Sequence, residues 1–121
     1  MYHEGYKMPT PTTPPSKVRR TLKTLGSDIQ NARKRRALSM ETVANRAFTS
    51  RKTLQRIELG DYGVSIGIYA SVLNALGLLD RLAELAAPAN DNVGMELANA
   101  NLPKRVRSKK AARKQDDGDD P

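Results

Sequence analysis

Val18, Leu22, Leu25, Ile29 and Ala32 stand four, three, four and three residues apart. That is the period of one helix face, and nowhere does the chain show the two-residue alternation of a half-buried strand. The expected class is therefore all-α. Ser16 follows the Pro14–Pro15 pair and reads as the N-cap of a first helix running to about Arg36. Gly26 sits inside this run at a cost of about 1 kcal/mol relative to alanine, which leaves room for the first turns to be a separate short helix.

Four further helices follow from the same reasoning. Ser39 opens the second, with Glu41 and Thr42 nearby and Val43, Ala44 and Ala47 as its buried positions. Ser50 caps the third, with Leu54 and Ile57 inward. The turn Gly60-Asp61-Tyr62-Gly63 has two glycines to supply positive φ angles. Ser65 caps the fourth helix, whose inward residues are expected to be Ile66, Tyr69, Ala70, Leu73 and Leu76, ending at Gly77. Leu78, Leu79, Leu82, Leu85 and Ala86 then make a short, strongly apolar fifth helix, stopped by Pro88. After a polar break at Asn90–Asn92, residues 93–100 read as a sixth short helix or arm built on Val93, Leu97 and Ala100, ended by Pro103.

The ends are different in character. Residues 1–15 hold a proline-rich stretch and almost nothing apolar, so a disordered arm is expected there. Residues 104–114 include seven bases and no acid, and Asp116, Asp117, Asp119 and Asp120 then reverse the sign. The expected organisation is a disordered arm over 1–15, a five-helix domain over 16–88, a short helix or arm for contacts over 89–107, and a disordered charged tail over 108–121.

Net charge is +8, spread as +4 over residues 1–25, +3 over 26–88 and +1 over 89–121. The excess is not one detachable tail, and a basic chain of this kind is attracted to polyanions, nucleic acid first among them. At 121 residues there is room for one domain plus tails. Only 4% of residues are aromatic, which argues against a large aromatic-lined substrate pocket. With no cysteine there is no disulfide and no thiolate chemistry, in keeping with a reducing cytoplasm. No apolar run approaches the roughly 18 residues of a membrane helix, and the N-terminus lacks the apolar stretch of a signal peptide. The one histidine, His3, lies in the arm, so neither a metal site nor histidine catalysis is expected, and the aspartates of the tail read as a solubilising run rather than metal ligands. No paired carboxylates, nucleophile–base set or phosphate-cradling glycine loop stands out, so no enzyme and no cofactor is expected.

Two short helices joined by a tight turn, the second rich in basic and polar residues, suit the width of the DNA major groove. With Leu54 and Ile57 inward, Arg51, Lys52, Gln55 and Arg56 are left on or beside the opposite face of the third helix. Arg51 and Lys52 occupy its first turn, which reaches deepest in a recognition helix.

The stretch DIQNARKRRALSMETVANRAFTSRKTLQRIELG resembles the XRE group of helix-turn-helix proteins, the class of Cro and the phage repressors. The likeness spans about residues 27–78. Arg33, Ser39, Ala44, Ser50, Leu54, Ile57, Glu58 and Gly60 carry it. It implies a Cro-like fold in which Arg51, Lys52 and Arg56 read bases, while Ser39, Thr49, Ser50, Thr53 and Gln55 contact the DNA backbone or, for Thr49, Ser50 and Thr53, a thymine methyl. It also implies a buried ion pair of Arg33 with Glu58. Two positions depart from the pattern. Phe48 replaces the usual turn glycine, so the turn must avoid a positive φ or tolerate one at a cost. Met40 replaces the glutamine that often grips a phosphate at the start of helix two.

VSIGIYASVLNALGLLDRLAEL, followed by DNVGMELANANLPKRVR, also resembles HipB-type antitoxins, which repress their own operon and hold a HipA-type kinase toxin inactive. This implies an autoregulating antitoxin with a palindromic double-stranded operator, a homodimer and a kinase partner. Leu78, Leu79, Leu82, Leu85, Val93 and Leu97 are the expected dimer or partner residues, because the fifth helix is apolar on more faces than a small domain can cover. Two alternatives stay open. One is a stand-alone XRE-type regulator, and the other a non-specific basic nucleic-acid-binding protein that would grip any duplex alike.

Overall fold

A computed structural model describes residues 13–106, with side chains as far as Asn101. All regular structure among the described residues is helical: α1 (Ser16–Arg35), α2 (Met40–Arg46), α3 (Arg51–Glu58), α4 (Ile66–Ala75), α5 (Leu79–Ala83) and α6 (Asn92–Val106), with one 3₁₀ turn at Pro88–Asn90. Apart from Thr13, Pro14 and Pro15, the expected disordered arm and charged tail lie outside the described residues.

The chain divides into two compact units, the first ending at Leu79 and the second beginning at Asp80. The core of the first is built from Ile29 and Ala32 of α1, Val43 and Ala44 of α2, Leu54 and Ile57 of α3, and Tyr69, Val72 and Leu73 of α4, with Ala47, Val64 and Leu76 beside them. α3 packs on both α1 and α2, and α2 packs on α4.

α1 is continuous through Gly26, so the possible break there does not occur. The glycine is present for space. A Cβ at position 26 would stand 2.5 Å from the Ile57 carbonyl oxygen and 2.7 Å from the Gly60 amide nitrogen. From the other side, a Cβ on Gly60 would stand 2.6 Å from the Lys23 Cα. α1 and the end of α3 thus touch backbone to backbone, and Gly26 gives up helix propensity for that approach. Ser16 is not the N-cap. Pro15 holds that position, its carbonyl accepting from the Val18 and Arg19 amides, so Ser16 is already helical and its hydroxyl instead accepts from Arg20 Nη1 at 3.3 Å.

The first four helices end alike. In each, the residue after the C-cap has positive φ, its amide donates to the carbonyl three residues back, and the next amide donates to the carbonyl five residues back. This is the Schellman closure. Glycine takes the left-handed position at Gly60 (φ 77°) and Gly77 (φ 78°), whereas Ala37 (φ 53°) and Phe48 (φ 56°) take it at the other two. The α2–α3 turn therefore tolerates a positive φ at a residue with a side chain.

Four other expectations need correcting. Ile66 is 72% exposed, while Val72 is fully buried. The α4 seam runs Tyr69, Val72, Leu73, Leu76, and Ile66 is the first helical residue, one turn before that seam begins. Gly63 has no positive φ, because the Asp61 side chain takes its amide at 2.7 Å and shapes the turn. α5 stops at Ala83, short of Leu85 and Ala86, and Pro88 opens the 3₁₀ turn. Pro103 does not end α6, which continues to Val106. A proline inside a helix gives up its own N–H bond and crowds the carbonyl four residues back, but the residues after it keep their N–H groups and the helix can run on.

In the second unit, the Asn90 side chain donates to the Glu84 carbonyl at 2.7 Å. The Asp91 carboxylate accepts from the Gly94 amide at 3.0 Å and closes the first turn of α6.

Candidate nucleic-acid interface

α3 enters from a serine cap. Ser50 Oγ accepts from the Thr53 amide at 3.0 Å and donates to Thr53 Oγ1 at 3.0 Å. α2 starts in the same way, with Ser39 Oγ accepting from the Thr42 amide at 3.0 Å and donating to Thr42 Oγ1 at 2.9 Å. Each Ser–Thr pair uses one of its two hydroxyl hydrogens internally and keeps one for an outside acceptor. In each pair it is the threonine hydroxyl, Thr42 beside Ser39 and Thr53 beside Ser50, that keeps its hydrogen for an outside acceptor. The repeated Ser-x-x-Thr spacing was the available signal for Thr42.

The rotation of α3 is fixed by Leu54 and Ile57, both fully buried. Arg51, Lys52 and Gln55 are left exposed, with Thr49 and Thr53 half-buried. No hydrogen bond or ion pair restrains Arg51 or Lys52 among the described residues, so both cations can follow an outside anion.

Arg56 is held differently. Its Nε donates to Asp61 Oδ2 at 2.7 Å, with the Arg56 side chain 46% exposed. Asp61 is itself anchored: its Oδ1 accepts from the Gly63 amide, and its carbonyl oxygen accepts from the Tyr69 hydroxyl at 2.7 Å. The Arg56 and Gly63 hydrogen bonds hold the Asp61 carboxyl below the usual carboxylate range. Burial, then the Asp61 charge, pushes the Tyr69 phenol up. Arg56 therefore presents its remaining N–H groups from a position set by Asp61. The spacing gives no signal for the pairing of Asp61 with Arg56, because Asp61 lies five residues on and outside the helix, where no i, i+4 rule applies.

Beneath the surface, Arg33 and Glu58 form a bidentate pair. Nε donates to Oε2 at 2.7 Å and Nη2 to Oε1 at 3.1 Å, with side-chain exposures of 10% and 3%. Arg33 Nη1 also donates to the Leu38 carbonyl at 3.1 Å. The hydrogen bonds to Glu58 raise the Arg33 pKa, so the guanidinium stays charged despite burial. The pair ties the last turn of α1 to the end of α3.

The remaining expected contact residues are divided between the units. Leu78 is half-buried and Leu79 exposed in the first; Leu82 is half-buried and Leu85, Val93 and Leu97 exposed in the second.

The profile of the helix-turn-helix domain family matches residues 24–86, just over half the chain. The chain belongs to the helix-turn-helix domain family. This helix-turn-helix protein is a DNA-binding regulator, with α2 and α3 as the paired helices of the motif, and the likeness to the XRE group is supported. The stretch that resembles HipB-type antitoxins at its C-terminal end, residues 91–107, lies beyond the match. No significant match to a curated protein or to a solved structure was found. No helix among the described residues is long and apolar enough to cross a membrane.

Proposed function

We propose that this helix-turn-helix protein is a sequence-specific transcriptional repressor that reads a palindromic operator as a homodimer. The observation that carries the proposal is the outer face of α3. Arg51, Lys52 and Arg56 are presented by a helix whose rotation is fixed by two fully buried residues and whose first turn is capped at Ser50. Arginine and lysine match the O6 and N7 acceptors of guanine, so each half-site should contain an essential G·C pair. Ser39, Thr42, Thr49, Ser50, Thr53 and Gln55 would supply contacts to the DNA backbone.

The test is titration of an operator, enriched from a random duplex pool, against a scrambled duplex at two salt concentrations. Arg51→Ala should cost about 1–3 kcal/mol on the operator and relax preference at one base pair. Equal loss on both duplexes would reassign Arg51 to the backbone. Two-fold pairing should set two α3 helices about 34 Å apart, and a monomer by sedimentation both free and on DNA would rule that out.

The finer reading is that the repressor is the antitoxin of a HipA-type kinase. It is supported by the resemblance of residues 64–85 and 91–107 and by the exposed Leu85, Val93 and Leu97 of the second unit. Pull-down from the native host should bring down a kinase, and deleting residues 92–121 should release it. Capture of no kinase leaves the stand-alone regulator.

A further inference from the structure

Phe48 is the chain's one phenylalanine, and it is 96% exposed. It gains nothing from packing at that exposure. It also occupies a left-handed backbone position, φ 56°, where an L side chain is disfavoured and glycine is not. Two of the other three helix ends of this type use glycine and the third the smallest side chain, so neither burial nor backbone geometry accounts for the large ring at position 48.

Its position does. Phe48 closes α2 immediately before Thr49 and the Ser50 cap, three residues ahead of Arg51. Exposed Arg46 precedes it and exposed Arg51 and Lys52 follow it, with no acidic residue between Arg46 and Lys52. An apolar ring flanked by cations matches a polyanion that carries an apolar group between its charges. In the major groove that group is the thymine C5-methyl.

We infer that Phe48 is a specificity residue of the DNA-reading surface and packs on a thymine methyl group at the edge of each half-site. The inference rests on the DNA-reading role proposed above and extends it to a residue in the turn. The backbone cost of Phe48 in the folded protein is then offset in the complex.

The test uses full-length protein and a duplex enriched from a random pool, in which each thymine is replaced in turn by deoxyuridine to remove only the methyl. At one thymine per half-site, the wild type should lose about fourfold in affinity, the worth of one buried methyl group. Phe48→Gly should bind the thymine and uracil duplexes alike while melting no lower than the wild type, since glycine accepts the turn. Phe48→Leu should keep part of the discrimination. Methyl discrimination that survives in Phe48→Gly, or that is missing from the wild type at every thymine, overturns the inference and leaves the repressor proposal standing. Failure of the pool to enrich any sequence overturns both.

Discussion

Arg33 joins three parts of the first unit through one guanidinium: Glu58 at the end of α3, the Leu38 carbonyl in the α1–α2 link, and its own helix. Removing the cation would strand a buried carboxylate. Arg33→Met is expected to cost about 3–5 kcal/mol in urea unfolding, and Arg33→Met with Glu58→Leu should recover most of it, because the cost is an unpaired charge and not lost volume. If the double variant is as unstable as the single, the pair acts mainly through geometry. Ala37 offers a change of opposite sign. It holds a left-handed φ at the end of α1, so Ala37→Gly should raise stability by about 1 kcal/mol by relieving that position. A fall in melting temperature would mean that the alanine side chain has a packing role.

The helices show which local signals survive into three dimensions. Gly26 lies in an exposed-looking helix by propensity, where alanine should help by about 1 kcal/mol. Its contact with the end of α3 reverses the sign. Gly26→Ala is expected to destabilise by about 1–3 kcal/mol or more, as overpacking against immovable backbone does, and a neutral result would show that α1 and α3 can separate slightly at no cost. Leu54, Ile57, Val43 and Ala44 were legible because amphipathic spacing and the serine caps are written within a single helix. Gly26 was not, since its partner lies more than thirty residues away. Ile66 and Val72 were exchanged because the spacing defined a stripe on α4, but which of its edges faces α2 depends on how the helices cross. The Arg56–Asp61 contact forms across a turn that no helical period describes. Arg33 with Glu58 was expected only through the family resemblance, as no local rule connects residues that far apart.

For the whole molecule, titration and shape set what the protein can do. Asp61 has a lowered pKa, so its contribution is complete above the unfolded value of about 4 and is lost as pH falls through the lower folded value. Tyr69 has a raised pKa, so its contribution is complete below the unfolded value of about 10 and is lost as pH rises through the higher folded value. Stability by urea unfolding should therefore be level from about pH 5 to 9, between those two reference values, with losses outside it; a step inside that range would overturn the expectation. Within that plateau, the backbone contact of Gly26 with Gly60 makes α1 and α3 one solid piece. A reading helix mounted in this way is held from shifting against α1 to suit an imperfect half-site, so in the DNA-reading role proposed above the duplex does more of the yielding. The cost of bending or overtwisting then enters the choice of site. Operators should be ranked partly by the flexibility of their uncontacted central base steps, a preference expressed through the mechanics of DNA and not through any side chain.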